Sequence, residues 1–134
     1  MLEEADFIEL RTSRNQLKIT RDEQLELNTK CVCIIGLSVG QSVALTMAME
    51  RSVGELRLVD FDTLDLSNLN RLRAGLHELG EPKTRIAARA IAVFDPYLKI
   101  ELAEEGANPE NLPELLDGAD LLVEECDSLP IKLV

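Results

Sequence analysis

Residues 30–61 read KCVCIIGLSVGQSVALTMAMERSVGELRLVDF. The run from Cys31 to Ile35 is short, apolar and rich in β-branched residues, as a strand covered on both faces should be. Gly36 interrupts it, residues 41–52 then space their apolar side chains as a helix does, and a second strand follows across residues 54–61. Strand, helix and strand in so few residues make a βαβ unit, whose two strands pair in parallel. The pattern continues with a helix across PKTRIAARAIAVF, a strand across YLKIELA, a short helix after Asn111-Leu112-Pro113 and a strand across ADLLVEE. Such alternation predicts an α/β fold with a mostly parallel sheet between helical layers.

Working outward, residues 1–30 differ in kind. They are charged and predict two short helical pieces, with Thr20 as N-cap and Glu23 three places on completing a capping box. The expectation is a helical N-terminal arm over residues 1–30 and a Rossmann-like three-layer domain over 31–134, incomplete at its C-terminal end. The chain's 134 residues suffice for one core. A formal net charge of −11 argues against nucleic acid and against an anionic membrane surface, both of which require a basic patch. No apolar run approaches the roughly 20 residues of a spanning helix, and the acidic N-terminus is unlike a signal peptide. A cytoplasmic protein is expected.

Open parallel sheets bind ligands beyond the carboxyl ends of their strands. Three unusual segments fall at such ends: GLSVGQS from Gly36, the stretch DFDTLDLSNLNR from Asp60, and EECDS around Asp127. The first keeps Gly36 and Gly40 of a dinucleotide fingerprint, with Ser38 and Val39 between them and Gln41 after. Alone it is compatible with a turn that binds nothing. Asp60, at the end of the second strand, stands where a carboxylate accepts hydrogen bonds from an adenosine ribose, which favours a nucleotide. A nicotinamide-dependent dehydrogenase and an ATP-binding enzyme are equally allowed at this point.

The stretch after Asp60 separates them. DFDTLDLSNLNR followed by GEPK closely resembles, in order, the segment of the ThiF/MoeB/ubiquitin-activating superfamily that reads D-x-D-x-[VI]-x-x-S-N-L-N-R and then G-x-x-K. RTSRNQ stands at the position of that superfamily's R-Y-x-R-Q, and VEECDS at that of its D-C-T-D-N. The resemblance implies an adenylyltransferase that uses ATP and magnesium to attach AMP to the C-terminal carboxylate of a small ubiquitin-like protein or peptide. It places Asn68, Arg71 and Lys83 around the phosphates, Asp60 on the ribose with the loop of Gly36, Ser38 and Gly40 beside it, and Asp127 at the magnesium ion. Arg14 would reach the phosphates of a partner subunit, in a homodimer built through the arm. Cationic and hydrogen-bonding residue types suit this chemistry, because a carboxylate attacking a phosphate brings two anions together.

Other residues carry plainer expectations. Asp62 and Asp65 read as solvated turn or cap residues, Arg73 and Arg85 as solvated face residues, and His77 as a loop or helix-end residue. Lys83 without a ligand would be a surface lysine in the first turn of a helix begun by Pro82. Cys31, Cys33 and Cys126 lack the paired spacing of a zinc site and read as small buried residues. The chain departs from the superfamily's G-x-G-G-x-G loop at Ser38, Val39 and Gln41, whose side chains are expected to crowd the phosphates, and Ser128 replaces an Asn. These variants resemble a branch in which such a module precedes a nitroreductase-like domain. A degenerate relative that holds a nucleotide or a dimer partner without turnover is the alternative.

Overall fold

The computed structural model describes residues 2–70 and 72–125. Strands β1 (Cys31–Ile35), β2 (Glu55–Val59), β3 (Lys99–Ala103) and β4 (Leu121–Glu124) form one sheet in the order β3-β2-β1-β4, and every pairing is parallel. β1 is buried along its whole length because it is interior to the sheet and covered on both faces. Its alternation sorts the core. Val32 and Ile34 join Leu56 and Leu58 under helices α3 (Gly40–Glu50) and α4 (Lys83–Phe94), which contribute Ala44, Leu45, Ala48, Ala87 and Ile91. Cys33 and Ile35 face the other way with Val59 and Ala103, against Leu112 and Leu115 of α5 (Leu112–Leu116). The result is the expected three-layer α/β fold.

The chain winds outward from β1 through β2 to β3, then crosses to β4 on the other side of β1. That reversal puts the topological switch point at the carboxyl end of β1, where α3 begins. The opposite, rear end of α3 closes on Arg51, a residue at φ 53°, where glycine is the usual occupant. Arg51 is held there by a fully buried ion pair: its Nε lies 3.1 Å from Oδ2 of Asp95, the residue that ends α4. Asp95 Oδ1 accepts the backbone N–H groups of Tyr97 and Leu98, tying the pair to the start of β3.

The arm comprises α1 (Glu4–Thr12), a 3-10 turn (Ser13–Leu17) and α2 (Arg21–Leu27), and Thr20 and Glu23 form the expected capping box. Its charged sequence suggested a piece separate from the core, but the arm is docked. The ring of Phe7 packs 5.4 Å from that of Tyr97, and the Arg11 guanidinium lies 5.2 Å from the centroid of Phe94. Asn15 Nδ2 donates to the Glu50 carbonyl at 2.9 Å and to Gln24 Oε1 at 3.1 Å, while Gln24 Nε2 donates to the Arg51 carbonyl at 2.8 Å. Polar side chains thus satisfy the last carbonyls of α3 and bind the arm to the rear of the domain. No helix among the described residues is long and apolar enough to cross a membrane.

Candidate functional site

The loop between β1 and α3 begins at Gly36, whose φ of 91° excludes most side chains. Gly36 donates its N–H to the Val59 carbonyl at 2.8 Å, and Leu37 donates to Asp60 Oδ2 at 2.7 Å. Asp60, 9% exposed, accepts a second backbone bond at Oδ1 from Asp62 at 2.9 Å. Its carboxylate therefore fastens the loops after β1 and β2 to each other, and two oxygens with about four lone-pair sites keep capacity for hydroxyl donors. Gly40 is required by packing: a Cβ there would lie 2.8 Å from Cγ2 of Ile34, so its absence lets α3 approach β1. Each of the loop's two glycines thus has a structural need, Gly36 in its backbone angle and Gly40 in packing.

The side chains at the substituted positions, which were expected to crowd the phosphates, take three different directions. Val39 turns to solvent at 54% exposed. The Gln41 side chain, 3% exposed, runs sideways to the backbone of Arg73, accepting its N–H at Oε1 (3.0 Å) and donating Nε2 to its carbonyl (3.4 Å). Gln41 is a latch. Ser38 is likewise engaged, its Oγ lying 3.2 Å from Lys83 Nζ.

After Asp60 the chain leaves the sheet and returns through a short antiparallel contact. Thr63 bridges Pro82, Leu64 donates to Glu81 and Gly80 to Leu64 at 2.9 Å each, and Lys83 donates its N–H to the Asp62 carbonyl at 3.1 Å. Leu64, Leu72 and Ile86 seal the excursion against α4. This return carries Lys83 back beside Asp60. Lys83 is no surface lysine: it is 5% exposed, and besides Ser38 its ammonium meets Asp62 Oδ2 at 3.6 Å. Asp62, expected to solvate a loop, is the partner of this buried cation. Pro82 precedes α4 as its N-cap with φ −58°.

Asn68 lies within the excursion at 8% exposed, and its Oδ1 accepts the Asp65 N–H at 2.9 Å to close the 3-10 turn Leu66–Asn70. Arg71 and Asp127 lie outside the described residues, as do Cys126 and Ser128. Arg14 is not brought to the others. It adjoins Asn15, whose side chain binds the last turn of α3, whereas the site lies at the first; eleven residues of helix, about 15 Å, separate the two ends.

The remaining candidates resolve simply. Arg85 pairs with Glu104 across the helix and the end of β3 rather than standing solvated alone. His77 is exposed on the 3-10 turn Leu76–Glu78. Cys31 and Cys33 are buried, and burial, reinforced by the neighbouring Glu55, pushes the Cys31 thiol up to about 11, while burial raises Cys33 as well. Protonated thiols are neither ligands nor nucleophiles. No group of three or more potential metal ligands occurs among the described residues. What the site can do is bind an anion: the first turn of α4 presents a buried lysine, a hydroxyl and a glycine loop stand opposite, and a carboxylate lies one strand away.

The profile of the ThiF family matches residues 12–134. The chain is 48% identical over 128 residues to the uncharacterized protein MT1398 of Mycobacterium tuberculosis (strain CDC 1551 / Oshkosh), covering 96% of this chain and 18% of that protein. It is 31% identical over 137 residues to the molybdopterin-synthase adenylyltransferase of Haemophilus influenzae, covering 98% of this chain and 56% of that enzyme. The crystal structure of the E. coli tRNA N6-threonylcarbamoyladenosine dehydratase TcdA in complex with ATP superposes with a TM-score of 0.86 at 20% identity, over 97% of this chain and 54% of that one. The chain thus spans about half or less of these relatives. On a family match over nearly its whole length and a shared fold, the chain belongs to the ThiF family.

Proposed function

We propose that this chain is the nucleotide-binding part of an ATP-dependent adenylyltransferase that activates the terminal carboxylate of a small protein or peptide. The observation that carries this is Lys83, buried at the start of α4 between Ser38 and Asp62 and opposite the glycine loop. A buried ammonium shared between a hydroxyl and a carboxylate is held ready for a more highly charged anion. In the reaction, a carboxylate oxygen bonds to the α-phosphorus of ATP, the bond to the bridging oxygen breaks, and pyrophosphate leaves with the electron pair. Lys83 and the resemblance-assigned Asn68 and Arg71 would offset the charge that gathers on the phosphates, and Asp60 would fix the ribose. Magnesium, which the resemblance pairs with Asp127, would supply positive charge shared with the phosphates.

The arm supports a dimer. Arg14 is exposed beside Asn15, which is anchored at the rear end of α3, so a role at phosphates would fall to a neighbouring copy's site. The adenylyl-transfer reading finds support in the molybdopterin-synthase adenylyltransferase relative and in the likeness to solved structures of MccB, one of them with MccA-N7isoASN, at 25% identity. A second reading, a nucleotide holder without turnover, is favoured by Ser38, Val39 and Gln41 at glycine positions.

Calorimetry with Mg-ATP, with ATP plus chelator and with NADH tests the reading. Mg-dependent ATP binding is expected, and Lys83→Met should weaken it about 10- to 100-fold, the worth of a charge-assisted bond. Mixing Arg14→Ala with Lys83→Met chains should restore part of what each lacks. NADH binding that magnesium does not affect would overturn the proposal, and ATP binding without pyrophosphate release, when a carboxylate substrate is supplied, would establish the second reading.

A further inference from the structure

Among the described residues β3 pairs with β2 alone, so one edge of the sheet is open there. A strand's backbone alternates, and the Ala103 carbonyl accepts the Asp60 N–H, so residues 99, 101 and 103 turn their polar groups to β2. Ile100 and Leu102 turn theirs outward. No proline stands in residues 99–103 and the register with β2 is unbroken, so nothing in this edge bars a further strand.

Beside the edge lies a cavity of about 220 Å³, on the face of the sheet that carries α5 and away from α3 and α4. Val59, Ala103 and Leu115 give it an apolar wall. Its charged lining is three carboxylates, Glu101, Glu105 and Glu114, against one guanidinium, Arg57. Arg57 is already committed: its Nη1 donates to the Leu115 carbonyl at 2.8 Å and to the Asp117 carbonyl, and its Nε lies 3.6 Å from Glu101. Glu101 also meets Lys99 at 3.6 Å, whereas Glu105 and Glu114 are exposed and have no ion-pair partner among the described residues. The cavity therefore presents unspent negative charge.

Its size decides what could enter. Small-molecule sites run from roughly 300 to 1,000 Å³, so this smaller space suits one long side chain, its stem along the apolar wall and its cationic head at the carboxylates. We infer that the open edge of β3 is a docking surface for an extended basic segment of a partner protein, which pairs with β3 and places an arginine or lysine in the cavity under α5. Main-chain bonds to Ile100 and Leu102 would hold the segment, and the cavity would select its side chain. The chain's own net charge of −11 favours a basic partner and opposes a second copy in that place. The surface is separate from the nucleotide site proposed above and does not depend on it.

The test uses the whole chain and the peptide Ac-Thr-Arg-Val-Arg-Thr-NH2, followed by calorimetry and by amide NMR. The peptide should bind and shift the amides of Ile100, Leu102, Glu105 and Glu114, and the same peptide with Glu in place of Arg should not. Glu105→Gln combined with Glu114→Gln should weaken binding about 2- to 30-fold, as loss of two exposed ion pairs does. An added strand pairs through only one of its edges, so N-methylation of both Arg residues and N-methylation of the Thr and Val residues should differ, one abolishing binding and the other sparing it. Agmatine bound as tightly as the peptide would make this a small-cation site and overturn the docking surface. Equal effects of the two N-methylation patterns, an unaffected Glu105→Gln, Glu114→Gln chain, displacement of the peptide by ATP, or no binding at all would overturn it too.

Discussion

Replacing Gln41 by glycine restores the residue that the phosphate loop of related sequences carries, and by sequence logic it should open the site. The structure predicts the opposite. Gln41 accepts the Arg73 N–H at 3.0 Å and makes a longer bond to its carbonyl at 3.4 Å, both at a side chain that is 3% exposed. The shorter bond is worth about 1 kcal/mol and the longer a fraction of that. Glycine in the first turn of α3 adds about 0.5–1 kcal/mol relative to alanine. Gln41→Ala should therefore cost about 1–2 kcal/mol in urea unfolding and Gln41→Gly about 2–3 kcal/mol. Hydrogen exchange should speed at the amide of Arg73 before it does so in β1. ATP binding should weaken in both variants, because the excursion bearing Asn68 loses its tether to α3. A Gln41→Gly chain that binds ATP more tightly than wild type would show that the side chain does crowd the phosphates, and unchanged exchange at Arg73 would refute the latch.

Two further outcomes follow from buried groups away from the site. Asp95→Ala strands the Arg51 guanidinium, which is 2% exposed, and should cost about 3–5 kcal/mol in chemical denaturation, whereas the double variant Arg51→Met, Asp95→Asn, which keeps the acceptor for Tyr97 and Leu98, should recover most of the loss. Cys31, with its thiol raised to about 11, should react with iodoacetamide at pH 8 about 100-fold more slowly in the native chain than after unfolding, as read by mass spectrometry at that residue. The same shift has a fixed sign for stability: a raised thiol stabilises the fold fully below about pH 9, the unfolded value, and that contribution is lost as pH rises toward 11.

The fold was legible because its signals are local and strong. The alternation in CVCII and ELRLV, the capping box at Thr20 and the proline before Lys83 each name an element, and each stands within a few residues of its expected place. The place of Asp60 at the carboxyl end of β2 was legible too, since it directly follows the last apolar residue of ELRLV. What eluded sequence reasoning was the direction of side chains. Asp62 looks like a turn residue until Lys83 returns to it from twenty-one positions later, and no periodicity announces that contact. Gln41 differs from a glycine in a motif, so it reads as damage; only its bonds to Arg73, thirty-two residues on, show that it has a task. The arm's few apolar residues were outweighed by its charges, although Phe7 and Arg11, one helical turn apart, hinted at a docked face.

The short antiparallel contact that joins residues 62–64 to 80–83 acts like a drawstring at the neck of a pouch. Once that neck is tied, the position of Lys83 relative to Asp60 no longer depends on the length of chain inside, and the entropy of closing a longer loop grows only slowly. Residues 75–79, beyond the Gln41 latch and before the neck, form a mostly exposed tip where exchange of Leu76, His77 or Leu79 should leave the neck in place. A change of sequence at that tip would then leave Lys83 where it is, paired with Asp62 and Ser38.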